Sequence, residues 1–330
     1  MGQLVKGVWQ DTATREVKQD GQFVRQGSAF RNWVTPDGSA GPTGVGGFKA
    51  EAGRYHLYVS LACPWAHRTL IYRSVLGLEQ AIDISVVHPV NMENGWEFAD
   101  YECATPDKLF GSRFLHQVYT RAAPTYSGKV TTPLLWDKQS GTIVNNESSE
   151  IIRMMGGAFR SIATSWQEFL PEDKLAEIDA LNDLIYRAIN NGVYRTGFAE
   201  TQVAYEAAVT GLFDAFDVLE TRLADSRFLL GDRPVEPDWR LFASMIRFPS
   251  VYYFHFKCNI RSLDDYPNLK RHTRDLLNWP GVRQTVNLDH INTHYYMAHR
   301  KINPFGLIPL GAKIDLDGPE WSDAELRKAV

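Results

Sequence analysis

The sequence is poor in cysteine, with three in 330 residues, and no apolar run approaches the ~18 residues that suggest a membrane-spanning helix. Cys63, Cys103 and Cys258 are too few and too scattered for a disulfide framework. None stands in a Cys/His spacing that would hold zinc, so a reducing compartment and no metal are expected. The opening Met1-Gly-Gln-Leu-Val-Lys6 lacks the apolar core of a secretory signal, and Lys6 stands where a myristoylation signal carries Ser or Thr; a cytoplasmic protein is expected. An excess of charge is missing too. Thirty-five basic against thirty-nine acidic residues leave a net charge of −4, which gives no electrostatic footprint for nucleic acid or an anionic membrane. The expected partner is therefore a small molecule. The glycine-rich run Gly38-Ser-Ala-Gly-Pro-Thr-Gly-Val-Gly-Gly47 has no Gly-Lys-Ser/Thr after it and no strand before it, which argues against a phosphate-binding loop and for a flexible or packed-down arm.

What is present is an ordinary globular composition, 44% hydrophobic and 22% charged, at a length suited to roughly two domains of ~150 residues. The chain is organised around Tyr55-His-Leu-Tyr-Val-Ser-Leu-Ala-Cys-Pro-Trp-Ala66. Tyr55, Leu57 and Val59 alternate with His56, Tyr58 and Ser60, the period of a strand. A helix Pro64–Leu76 follows, closed by Gly77 as a C′ residue. With Pro64 at the first helical position, Cys63 becomes the N-cap, and its sulfur faces unpaired amides at the positive end of the helix dipole, the setting of a reactive thiol. A buried cysteine without chemistry is the alternative. Ala66 stands where a dithiol motif has its second cysteine, so any resolving thiol comes from elsewhere.

Ile82, Ile84 and Val86 alternate as a second strand, parallel to the first through a right-handed crossover. After an irregular insertion at about 88–129, with a helical stretch near Arg113–Arg121, Thr131–Asp137 reads as a third strand with Pro133 at its start. Thr142–Val144 returns antiparallel, and Asn145-Asn-Glu-Ser-Ser149 marks a helix N-terminus. Beyond about residue 160 the period is helical. Leu175, Ile178, Leu181, Ile185 and Ile189 define one amphipathic helix, and Ala204, Ala208, Leu212, Phe216, Leu219 and Leu223 another. Asp238 is the expected N-cap of a helix that Pro249 ends or kinks, and further helices are expected at Tyr266–Asn278 and Pro280–Arg300. The expected division is an irregular extension at 1–50, an α/β domain at 51–158, an all-helical domain at 159–302 and a tail at 303–330.

A cysteine at a helix N-terminus, a βαβ then ββα order and a proline opening the third strand are the parts of a thioredoxin-like domain. With an all-α second domain, the sequence resembles the glutathione transferases. Within that superfamily it is similar to the glutathionyl-hydroquinone reductases, the Xi class, over nearly the whole chain. The resemblance is carried by Ser28-Ala-Phe-Arg-Asn-Trp33, Cys63-Pro-Trp-Ala-His-Arg68, Glu93-Asn-Gly-Trp96, Thr132-Pro-Leu-Leu-Trp-Asp137 and Asn146-Glu-Ser148. It continues in Asn191-Gly-Val-Tyr-Arg195, His255-Phe-Lys-Cys-Asn259, His294-Tyr-Tyr296 and Ile302-Asn-Pro-Phe-Gly306.

The resemblance implies glutathione as co-substrate. Thr132 and a cis Pro133 would pair with its cysteinyl part, Glu147 and Ser148 would hold its γ-glutamyl end, Trp96 would pack on it and backbone near Val130 would complete the cradle. Glu147 and Ser148 serve equally as a plain helix cap, and Trp96 as a core aromatic. Tyr194, Tyr252 and Tyr295 fall on the family's active-site tyrosines, although each taken alone is a packing residue, and Tyr253 and Tyr296 stand beside two of them. His67, one turn beyond Cys63, is directed away from an N-cap sulfur and is expected to be structural, and Cys258 is expected to be buried on a helix. Thr131-Thr132 departs from the family's more usual Thr-Val.

The implied reaction reduces a glutathionyl-hydroquinone through a Cys63–glutathione mixed disulfide, with Tyr194 giving the proton and Tyr252 and Tyr295 holding the Cys63 thiolate. A second glutathione would then resolve the disulfide. An omega-like thioltransferase or dehydroascorbate reductase, or a non-catalytic glutathione-binding protein, are the alternatives. A homodimer is implied by the resemblance alone.

Overall fold

The computed structural model describes residues 2–11 and 20–311. Contacts divide the chain into two units: Met1–Arg15, Gln26–Trp166 and Thr285–Arg300 in the first, Glu16–Arg25, Gln167–Gln284 and Lys301–Val330 in the second.

The first unit begins with a hairpin, β1 (Gln3–Val5) and β2 (Val8–Gln10), in the segment expected to be irregular. Strands this short carry no readable period, and the turn residues Lys6 and Gly7 reach positive φ, 50° and 80°, without the usual Asn-Gly signature. The main sheet contains β3 (Tyr55–Val59), β4 (Ile82–Val86), β5 (Leu134–Asp137) and β6 (Thr142–Asn145) in the order β4-β3-β5-β6. As expected, β3 and β4 are parallel and β6 pairs antiparallel with β5; β5 in turn pairs antiparallel with β3. Helix α1 (Pro64–Val75) joins β3 to β4; past its end Gly77 takes a φ of 61° while the Gly77 and Leu78 amides close on the Ser74 and Arg73 carbonyls. The insertion between β4 and β5 holds α2 (Leu115–Ala122), and α3 (Ser148–Gly157) packs beside α1.

Alternation in β3 separates two buried faces, because all five of its residues are buried. On one face the Tyr55 ring meets Phe159; on the other, Tyr58 joins a core with Trp136, Trp96, Leu115, Val118, Tyr119, Val130 and Leu4. Burying a side chain such as Leu4 stabilises the fold by about 2 kcal/mol, so the insertion and the hairpin contribute to the same core.

His56 lies within β3, its Nε2 2.9 Å from the Ser85 hydroxyl, and burial lowers its pKa from 6.5 to about 4. The folded chain keeps this imidazole neutral, whereas the unfolded chain takes up the proton first. Stability is therefore expected to fall as pH drops from 6.5 to about 4, by roughly 1.4 kcal/mol for each unit of pH. Thermal melts across that range would measure the slope, and His56→Phe should flatten it.

The second unit is helical. Helix α4 (Leu175–Leu184) runs through a wider π-helical turn, Ile185–Asn190, to α5 (Gly192–Gly197). Helix α6 (Gln202–Ala224) is capped by Thr201, whose hydroxyl accepts from the Ala204 amide. Helices α7 (Glu236–Met245) and α8 (Pro267–Leu277) complete the unit. Asp238 is not the N-cap of α7 but its third residue: Pro237 is tolerated in the first turn, so the helix starts earlier. Its carboxylate accepts from the Val235 and Leu229 amides and contacts His272 Nε2 at 2.8 Å. Pro249 lies beyond α7, in a π-helical turn Phe248–Tyr252.

The helix expected over Pro280–Arg300 is shorter. Gly281 turns the chain at a φ of 81°, and α9 (Leu288–Ala298) begins only where Asn287 caps the His290 amide. This helix belongs to the first unit, where Tyr101 donates to Asp289 at 2.7 Å and His294 Nδ1 donates to the Pro89 carbonyl at 2.7 Å. Residues 303–311 have no regular structure, and the rest of the expected tail, 312–330, lies outside the described residues. Among the described residues no helix is long and apolar enough to cross a membrane, and no group of His, Cys, Asp or Glu forms a metal site.

Candidate active site

Cys63 is the N-cap of α1, with extended backbone angles and Pro64 in the first turn, as its sequence implies. Its sulfur makes no cap hydrogen bond to the helix amides. The thiol instead donates to the Thr132 carbonyl at 3.4 Å, which puts it at the start of β5. A thiol is a donor and pairs with an acceptor. The Thr132–Pro133 bond is cis, and Thr132 is buried with no hydrogen-bond partner for its hydroxyl.

Thr131 is held from the insertion: the Tyr119 hydroxyl donates to its carbonyl at 3.0 Å, and Asn146 Nδ2 donates to the Tyr119 and Thr131 hydroxyls. Val130, next in line, is part of the core around Tyr58. At the start of α3, Glu147 is the N-cap and accepts from the Ser149 amide and hydroxyl at 3.2 and 3.0 Å. Its other carboxylate oxygen accepts from the Ser28 hydroxyl at 2.9 Å. Burial alone would raise the Glu147 pKa. The Ser149 amide, the Ser28 and Ser149 hydroxyls and the Arg68 charge outweigh it and hold the carboxyl below its ordinary value. Arg68, buried in α1, reaches the Ser148 hydroxyl at 3.4 Å. The capping role and an ionised carboxylate thus coexist on Glu147.

Trp96 is 7% exposed, and its indole stacks on His294 of α9, centroids 5.1 Å apart and 23° between planes. Tyr295 also lies in α9, buried against the His294 and His299 rings, so it shares the first unit with Cys63. Burial pushes neighbouring Tyr296 up to about 12. His67 Nε2 lies 2.9 Å from the Thr285 hydroxyl, a structural contact.

Tyr194 and Tyr252 belong to the second unit, where they come together at 6.2 Å between ring centroids, both against Phe256. The Arg25 guanidinium covers the Tyr194 ring at 4.8 Å. Tyr253 packs instead on Phe248 and Phe254. Cys258 is buried in the same unit as expected, but in the irregular stretch after Tyr252 rather than on a helix, and burial pushes its thiol far up; Cys103 is exposed. Ser28, Arg68 and His294 lie within the motifs that carry the resemblance, yet their partners are distant in sequence. Only a three-dimensional structure exposes those pairings.

Residues 62–157 match the family described as glutathione S-transferase, N-terminal domain, and residues 202–275 its C-terminal domain. The thioredoxin-like unit, the helical unit and these matches make one result: the chain belongs to the glutathione transferase family. It is 50% identical to the glutathionyl-hydroquinone reductase YqjG of Escherichia coli, over 98% of this chain and 99% of that one. The solved Xi-class transferase of Natrialba magadii superposes with a TM-score of 0.88 at 43% identity, covering 97% and 95% of the two chains. A relative named glutathione S-transferase omega-like 2, from Schizosaccharomyces pombe, is 44% identical over 89% of this chain and 94% of its own. Within the family, the chain is a member of the Xi class, the glutathionyl-hydroquinone reductases.

Proposed function

We propose that this protein reduces glutathionyl-hydroquinones to hydroquinones at the expense of glutathione. The observation that carries the proposal is the Cys63 thiol at the head of α1, 3.4 Å from the Thr132 carbonyl, in a chain half identical to a glutathionyl-hydroquinone reductase. Glutathione extends alongside Thr132 and Pro133, backed by Val130, with Trp96 against the peptide. Glu147 takes its ammonium, and Ser148, with the first amides of α3, takes the γ-glutamyl carboxylate. The unpartnered Thr132 hydroxyl and the ionised Glu147 support this placement.

In the first step the Cys63 thiolate attacks the glutathione sulfur of the aryl thioether. The carbon–sulfur bond breaks, a Cys63–glutathione disulfide forms, and the aryl carbon takes a proton from Tyr194. Tyr252 and Tyr295 are assigned the support of the Cys63 thiolate. In the second step a glutathione thiolate attacks the mixed disulfide, releasing oxidised glutathione and restoring Cys63. The hydroquinone carbon gains the two electrons that the two glutathione sulfurs lose. Ala66 fits this cycle, because external glutathione is the resolving thiol, and Cys258 is too buried to take that part. The protein is proposed to act in the cytoplasm as a homodimer.

A thioltransferase or dehydroascorbate reductase reading is favoured by the omega-like names of some relatives and uses the same Cys63. A coupled assay of glutathione consumption separates the two, with a glutathionyl-hydroquinone compared against a small mixed disulfide. Turnover of the disulfide alone would overturn the proposal.

Ser28 gives a further check on the glutathione site. Ser28→Ala removes a hydrogen bond to an ionised carboxylate and is expected to raise the KM for glutathione about tenfold, with kcat little changed. Because Ser28 helps to hold the Glu147 carboxyl ionised, the acid limb of kcat/KM should move to higher pH in the variant. An unmoved limb would separate Ser28 from Glu147.

A further inference from the structure

The N-terminal hairpin lies against the two stretches that carry Trp96 and Val130, and the reaction gives it no task. On one side, Leu4 and Gly128 exchange reciprocal main-chain hydrogen bonds, both 2.9 Å, the Gly7 amide donates to the Tyr126 carbonyl at 2.9 Å, and the Lys6 amide donates to the Ser127 hydroxyl at 2.8 Å. Residues 126–128 thus line β1 and the turn after it, two residues before Val130. On the other side, Trp9 Nε1 donates to the Glu93 carbonyl at 2.9 Å, and its indole stacks on His116 with centroids 4.8 Å apart. The same ring covers Gly95, where a Cβ would come within 2.8 Å of it. Gly95 takes a φ of 74° and closes the Met92–Gly95 turn that leads into Trp96.

We propose that the hairpin Gln3–Gln10 is a positioning strap for the glutathione site, with Trp9 as the residue that fixes Trp96. The proposal rests on Trp96 and Val130 contacting glutathione. A loop ordered before the ligand arrives does not have to be ordered by it, so the strap acts on glutathione affinity and leaves the chemistry at Cys63 alone. Leu115 and Trp96 already hold the inner end of the loop through the Leu115 amide and the Trp96 carbonyl, 2.9 Å apart. Trp9 secures the outer turn.

The test measures glutathione binding by calorimetry, and KM and kcat with a glutathionyl-hydroquinone, for Trp9→Ala, Trp9→Phe, Trp96→Ala and the Trp9→Ala/Trp96→Ala double variant. Trp9→Ala is expected to weaken glutathione binding about tenfold with kcat within about twofold. Trp9→Phe, which keeps a ring but loses the indole donor, should recover part of that loss. In the Trp96→Ala background the Trp9 change should weaken binding no further, because its effect passes through Trp96. The strap is overturned if Trp96→Ala weakens binding while folded Trp9→Ala and Trp9→Phe bind as the parent does, or if the two losses multiply in the double variant. Unchanged binding in Trp96→Ala would overturn the contact itself and the strap with it.

Discussion

Cys63→Ala is expected to abolish reduction of glutathionyl-hydroquinones, a loss of at least about a thousandfold in kcat, while glutathione still binds. The loss follows from a one-cysteine cycle: the sulfur at the head of α1 is the atom that takes glutathione from the aryl ring, and no neighbour replaces it. Cys258 lies wholly buried in the other unit, its thiol pushed up by that burial, and Cys103 is on the surface of the insertion. Cys63→Ser makes the sharper comparison. It keeps a small polar N-cap and a donor to the Thr132 carbonyl, so fold and glutathione affinity should stay near the parent's while turnover is lost. Calorimetry and a steady-state assay on one preparation measure both. Retained turnover in either variant would remove the covalent step.

Tyr194→Phe is expected to lower kcat for glutathionyl-hydroquinones by about a hundredfold or more, the range of a lost general acid, and to leave reduction of a small mixed disulfide within about twofold. Breaking a carbon–sulfur bond leaves an aryl carbon that must be protonated, whereas exchange at a disulfide releases a thiolate that leaves unaided. Only the first reaction needs the phenol. The ring contacts of Tyr194 with Phe198, Tyr252 and Phe256 survive the change, so the fold is not put at issue. Equal losses on both substrates would assign Tyr194 to packing.

Much of this arrangement was legible in local signals. Cys63-Pro64 announced an N-cap, Gly77 a helix end, Ile82–Val86 a parallel strand, and all three are where simple rules place them. The elements missed depend on partners far away in sequence. The strands of the N-terminal hairpin are too short to show a period and owe their place to residues 126–128. His56 alternates with apolar neighbours as a half-exposed strand would, yet the insertion covers its face. Asp238 reads as an N-cap because the sequence does not reveal that Pro237 is already helical. Helix α9 continues a helical stretch in sequence but joins the first unit, through contacts of Tyr101 and Pro89 that no spacing encodes. In the site, the chemistry-bearing residues could be named from motifs, whereas the Ser28 bond to Glu147 and the His294 stack on Trp96 could not.

Glutathione passes from the aryl ring through a disulfide with Cys63 in the proposed cycle. Mass spectrometry after a single turnover with a glutathionyl-hydroquinone, and no added glutathione, tests it most directly. One reducible glutathionyl group is expected on the peptide containing Cys63, formed in step with released hydroquinone. Hydroquinone released from an unmodified Cys63 peptide, or the group found on Cys103 or Cys258 instead, would contradict it.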